Sequence, residues 1–301
     1  MKEIISISLI AVFILAACQP EMWLEDEKQT TPGTLNDFVN RNRSSLEVYT
    51  VAVSTPGQLT TAKDTKIYFA ANAFVDEQNK PVTGAVKIEV KEITTPGEMI
   101  LNDMPTTSNG RLLESGGEYN IMVSQNGKKL KLAPGNFLKI GLPNAAYARM
   151  QVFNGVSDAS GNVNWVPNNN PGNFVVGDSL YLRTELLCDS INWINCDRFI
   201  NEPTVELSVY PGNVPSADST NVFIHLTGKN AMVKMNWAQG LHYFNSKTVL
   251  AMPSSIIGIS KKNGLTYISV IAVNVQNGQS VTLNFSPCTE SELKAKLALL
   301  H

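Results

Sequence analysis

The feature that most restricts the fold is a strict alternation at residues 86–91. Val86, Ile88 and Val90 are apolar, whereas Lys87, Glu89 and Lys91 are charged. A period of two puts one set on each face of a strand, so the segment predicts a strand with one dry and one wet face. Short runs of similar texture recur at 48–54, 66–69, 119–124, 129–132 and 136–141. They return at 149–153, 163–166, 179–187, 204–210, 221–227 and in four more stretches to residue 285. Asn126-Gly127, between two such runs, predicts a hairpin, because both turn positions need positive φ. Asp158 to Asn162 reads as another turn, and Ser115-Gly116-Gly117 as a bulge or turn. Many short strands with little helix between them imply antiparallel sandwiches. Helix is expected in three places: one turn at 34–40 with Thr34 as N-cap and Asp37 three residues on, a short helix at 96–103, and a helix at 291–300 with Leu293, Leu297 and Leu300 on one face.

Composition narrows the function classes. Hydrophobic residues make up 43% and charged residues 17%, which supports packed cores over disorder. The formal net charge is −2, so there is no basic excess to neutralise phosphates, and nucleic-acid binding by charge is not expected.

The N-terminus sets the compartment. Met1-Lys2 is a short positive start, and residues 4–17 are apolar apart from Ser6 and Ser8, the length of a signal peptide's apolar core and too short to span a bilayer comfortably. The run ends in Leu15-Ala16-Ala17-Cys18, which resembles the lipobox of bacterial lipoproteins. That resemblance implies cleavage after residue 17 and two or three acyl chains, palmitate among them, on Cys18. More than one chain is what stable anchoring requires. Gln19 follows, where inner-membrane lipoproteins of enterobacteria carry Asp, so the resemblance points to the outer membrane. Residues 18–46 read as a tether. Its acidic cluster Glu21, Glu25, Asp26 and Glu27 is either a surface-export signal or a solvated spacer, and orientation across the outer membrane stays open.

Two further stretches carry a resemblance. Ala70-Ala71-Asn72-Ala73-Phe74-Val75-Asp76, followed by Pro81-Val82-Thr83-Gly84, resembles the ZU-five β-sandwich shared by ankyrins, netrin receptors and tight-junction scaffolds. Bacteroidetes-type envelope lipoproteins of unknown function are more similar still. They share segments like Met104-Pro105-Thr106-Thr107-Ser108-Asn109-Gly110, Ser115-Gly116-Gly117 and 192–199. The expected architecture is all-β: a signal peptide at 1–17, the tether at 18–46, a ZU-five-like sandwich at 47–145, and a second β-rich domain at 146–301 ending in a short helix. The resemblance implies no catalytic residues. Its eukaryotic members are interaction modules, which favours a non-catalytic envelope protein with a protein partner.

The chemistry-bearing residues are sparse. Of the three histidines, His301 is terminal, His225 sits in an apolar strand and reads as a satisfied sheet residue, and His242 has no ligand at zinc spacing. No metal, cofactor or nucleophile-elbow motif is indicated, so a hydrolase is the weakest reading. With Cys18 lipidated, Cys188, Cys196 and Cys288 remain. Cys188 with Cys196 closes the shorter loop and is the favoured disulfide, and Cys196 with Cys288 is the alternative. Trp193, Asp197 and Arg198 form the candidate partner-binding corner, since Trp and Arg are favoured anchors; the competing reading is that they specify the fold. A glycan-binding lipoprotein is the alternative function, with Trp23, Trp165 and Trp237 as stacking platforms if they are exposed.

Overall fold

The computed structural model describes residues 34–143, 150–158, 162–178, 183–213, 219–238, 243–262 and 264–300. The signal peptide, Cys18, Trp23 and the tether to residue 33 lie outside the described residues, as do His242 and His301.

The fold is all-β; the described residues form four large sheets and three short helices. The first sheet runs Glu47–Ala52, Ala85–Ile93, Arg111–Gln125, Asn192–Phe199, Gln151–Ser157, Val163–Pro167 in spatial order, every neighbour antiparallel. Facing it is a sheet of Phe174–Asp178, Arg183–Cys188, Leu138–Leu142, Lys66–Phe69 and Gly57–Thr60. Val86, Ile88, Val90, Ile121, Ile194 and Val152 from the first sheet meet Ile67, Leu138, Ile140 and Leu186 from the second in one core. The alternation at 86–91 therefore points its apolar set into a sandwich.

The second half forms its own sandwich. One sheet orders Asn236–Ala238, Tyr243–Leu250, Thr204–Pro211 and Gln279–Leu283, the last two parallel. The other orders Met232–Lys234, Thr220–Leu226, Pro253–Lys262, Leu265–Asn274 and Ser286–Cys288. Leu207, Val209, Val222, Ile224, Ile256 and Leu283 fill the space between them.

The change from one sandwich to the other falls between Phe199 and Thr204, not at 145/146. Five strands between residues 151 and 199 hydrogen-bond into the first two sheets. A cluster of turn residues looks alike whether it ends a domain or joins strands within one, which is why the expected boundary came too early. A third core joins the halves. Ile93, Leu113, Phe153 and Trp165 from the first sheet pack with Phe223, Ile257 and Ile268 from the second sandwich. The first sheet is thus covered on both faces where the third core lies, whereas Lys87 and Glu89, farther along, keep the wet face that the sequence predicts.

All three helices seal this junction. Helix α1 (Leu35–Asn42), helix α2 (Pro96–Asn102) and helix α3 (Glu290–Leu297) each begin with a reciprocal capping box: Thr34/Asp37, Thr95/Glu98 and Thr289/Glu292. Helix α1 buries Leu35, Phe38 and Val39, so the expected tether is already docked from Thr34 onward. Arg41 and Asn42 of α1 both bond Glu290 of α3, at 2.7 and 3.1 Å. Gly97 of α2 sits against the end of α3, where an added Cβ would lie 2.5 Å from the Leu297 carbonyl oxygen. Replacing Gly97 with Ala should therefore push α3 outward and cost about 2 kcal/mol, the scale of core overpacking. Urea unfolding with limited proteolysis of the C-terminus checks this; an unchanged midpoint would refute the close docking.

The local turn expectations are met. Asn126 and Gly127 have φ of 50° and 77°, and Gln125 pairs with Lys128 across the hairpin. Asp158 and Asn162 close their turn through backbone and side-chain hydrogen bonds of 2.8–2.9 Å.

Candidate functional site

The predicted corner does not come together as one surface. Trp193, Asp197 and Arg198 share the strand Asn192–Phe199, but they end in three different settings. Arg198 pairs with its cross-strand neighbour Glu114 through Nε at 2.9 Å and Nη2 at 2.7 Å. Asp197 is fully buried. Its Oδ2 accepts from Asn195 Nδ2 at 2.6 Å, and Asn195 Oδ1 in turn accepts from Ser115 Oγ at 3.0 Å. Trp193 is half-buried, stands edge-to-face on Trp165 at 6.2 Å, and lines a groove. As a joint partner-binding surface the corner is therefore corrected: adjacent strand residues face opposite ways, and the carboxylate is in the core.

A bulge produces this arrangement. Asn195 pairs with Glu118 and Asp197 with Ser115, so three steps on the long strand Arg111–Gln125 match two on its partner. The extra residue is supplied at Gly116-Gly117, and Gly117 takes φ +129°. Behind the bulge, Glu118 is fully buried, with no hydrogen-bond partner for either carboxylate oxygen among the described residues. Burial first, and then the charge of Asp197, push the Glu118 carboxyl well above the usual range; the Trp165 indole N–H faces it and opposes the shift without closing a full hydrogen bond. Burial pushes Asp197 up in the same way; Ser115 and the Gly116 backbone face it and oppose the shift without closing full hydrogen bonds, and Asp197 Oδ1 has no partner among the described residues. Such a pair shares protons more readily than it holds two charges.

The expected disulfide is not formed, and the three described cysteines are free. Cys188 lies in the second sheet, its Sγ engaged with the Ser190 hydroxyl at 3.2 Å, whereas Cys196 lies in the first sheet with Sγ 3.6 Å from Met150 Sδ. Each thiol has its own partner, and burial raises both above the ordinary thiol value. His225 is 2% exposed, its Nε2 3.2 Å from the Lys229 carbonyl, consistent with a satisfied sheet residue. Trp165 is fully buried and Trp237 packs edge-to-face on Phe244, so neither forms a coplanar platform with Trp193. No group of three or more His, Cys, Asp or Glu suited to a metal occurs among the described residues.

What the sequence did not reveal is the groove itself. It consists of two adjoining depressions, of about 390 and 550 Å³, that share Asp103, Asn162, Val163 and Lys234. It follows the junction of the two halves. One end is formed by Asn36 and Asn40 of α1, Arg43, Lys91 and Trp193; the other by Thr107, Asn236, Asn245 and Lys247. Sheet register brings two of these residues close: Lys91, Asn120 and Trp193 are direct neighbours on three adjacent strands and share one face, with Asn120 between the two groove residues. Asn120 is 9% exposed and its Oδ1 has no partner among the described residues.

Charge in the groove is mainly positive. Lys234 Nζ is 2.7 Å from Asp103 Oδ2, leaving Asp103 Oδ1 buried without a partner among the described residues. Arg43 and Lys91 are matched to no carboxylate among the described residues. Burial, and then the charge of Arg43, hold the Lys91 ammonium below its usual range. Four cations against one acid, in a chain of net charge −2, is a local concentration that composition does not show. The groove's liners come from α1, the end of α2, a hairpin and strands of both halves; Met104 to Gly110 and Trp193 belong to segments that the resemblance singled out, but nothing in the sequence joins them to Arg43, Lys91 or Lys234.

No protein-family model matches the sequence, and no curated protein shows significant similarity to it.

Proposed function

We propose that the chain is a non-catalytic lipoprotein of the cell envelope, held on the outer membrane by lipid at Cys18 and working by binding. The anchor rests on Leu15-Ala16-Ala17-Cys18 at the end of the apolar N-terminal run. The observation that carries the binding reading is the groove at the junction of the two sandwiches, lined by amides, cations and one half-buried tryptophan. Grooves at such junctions, with convergent polar groups, are the usual ligand sites of multi-layer folds. The interaction modules that the ZU-five resemblance invokes point the same way. In this reading the contact surface is the groove, and Arg198 and Asp197 serve the fold.

Two measurements test the proposal. Replacing Cys18 with Ser should move the protein from the membrane to the soluble fraction on cell fractionation, because the remaining chain offers no other anchor in this reading. Unchanged membrane association would refute the lipid anchor. Affinity capture of the lipidated protein from its own envelope should retain an envelope component in a manner lost on substitution at the groove. Retention indifferent to the groove would remove it as the contact surface.

A further inference from the structure

We propose that the groove binds an acidic glycan, a linear chain of pyranose rings bearing carboxylates. The inference rests on the binding reading above and names the ligand of that same groove.

Three kinds of group converge there, and each matches one part of such a chain. Arg43 and Lys91 lie together at one end without an acidic partner among the described residues, and their mutual repulsion is relieved by an anion between them. Trp193 lies beside them, its indole braced edge-on by Trp165 and half-exposed to the groove, which leaves an apolar surface on which a sugar ring can lie. Two buried acceptors lack donors among the described residues: Asp103 Oδ1 in the groove wall, and Asn120 Oδ1 on the strand between the groove residues Lys91 and Trp193. Buried acceptors of this kind are costly unless something donates to them, and sugar hydroxyls are donors. A bare polyanion would satisfy the cations but leave both acceptors unmet, and it would be repelled by Asp103. A neutral sugar would satisfy the acceptors and leave Arg43 and Lys91 unpaired. Only a ligand carrying both hydroxyls and carboxylates answers all three.

The length of the groove argues for a chain over a monosaccharide. Beyond Asp103 and Lys234 it continues past Asn162 to Asn236, Asn245 and Lys247, so amides and a further cation recur along it.

The test uses the full lipidated chain in detergent. Calorimetric titration with a panel of linear acidic oligosaccharides (oligogalacturonate, oligoalginate and hyaluronan fragments) should show saturable binding of at least one. Reducing or esterifying the carboxylates of the bound member should weaken binding at least tenfold. Lys91→Gln and Trp193→Phe each keep bulk and guard against simple unfolding. The lysine substitution should weaken binding about tenfold; the phenylalanine should weaken it less than Trp193→Ala, because a smaller ring still stacks. Lys247→Ala, an exposed change, should weaken long oligomers more than short ones. Dextran sulfate serves as the bare polyanion: binding equal to that of the acidic sugars and indifferent to Trp193 would overturn the proposal in favour of unspecific charge attraction. Failure of every acidic sugar to bind would overturn it too. If envelope capture then still retained a groove-dependent component, the glycan would fall while the binding function stood.

Discussion

Gly117→Ala should lower the unfolding free energy by about 3 kcal/mol, far more than an ordinary glycine-to-alanine change in a turn. Two costs combine at this position. The backbone has φ +129°, a conformation that L-residues rarely adopt, and the added Cβ would lie 2.4 Å from the Tyr119 hydroxyl oxygen. Tyr119 is 1% exposed and packed into the first sandwich, so the ring has nowhere to retreat. Gly127 provides the comparison. It has φ +77° at the tip of a hairpin, with nothing within 4 Å of the added atom. Gly127→Ala should cost about 1 kcal/mol, from backbone conformation alone. Denaturant unfolding of both variants under one set of conditions separates the terms. Equal losses would mean that the close approach of Tyr119 does not constrain the bulge.

That bulge shows where sequence is informative. A paired glycine within a strand pattern marks a place where side chains cannot be accommodated, and Gly116-Gly117 is such a place. Asn126-Gly127 and the three capping boxes are equally local: the turn or cap is decided by residues within four positions of one another. The alternation at 86–91 also holds, because one strand's two faces are recorded in its own residues. Long-range placement is different in kind. Leu207 pairs in parallel with Gln279 and Cys188 pairs with Leu138, and nothing near any of these residues names its partner. The division between the sandwiches is illegible for the same reason. Burial of charge is the sharpest case. Asp197 and Glu118 look like residues for solvent, and they are in the core because a bulge and a covering second sandwich put them there. The groove was hidden because it exists only once α1, α2, Lys91 and Lys234 have been brought together from distant parts of the chain.

Glu118→Gln is expected to stabilise the protein at neutral pH by about 1–3 kcal/mol, the scale on which proton linkage of one strongly shifted carboxyl acts. The reasoning turns on the sign of proton linkage. Glu118 and Asp197 are both raised well above the usual carboxylate range, Glu118 by burial and by its neighbour's charge, Asp197 by burial. The folded state therefore holds protons that the unfolded chain, with ordinary values near pH 4, has already released. Their contribution to stability is fully present below about pH 4 and is lost as pH rises through the folded-state titrations. Glu98, Asp189 and Glu290 work in the opposite sense. Hydrogen bonds and ion pairs outweigh desolvation and hold them low, so their contribution is present above the ordinary carboxylate range and is lost as pH falls through their folded-state values. The wild-type profile sums both trends, and so the diagnostic quantity is the difference between variant and wild type. For Glu118→Gln that difference should be small near pH 4 and should grow steadily toward neutrality, because only the wild type is penalised for losing the Glu118 proton. A Glu118→Gln difference that does not change with pH, or a variant less stable than wild type at neutral pH, would mean that the Glu118 carboxylate is compensated in the folded protein.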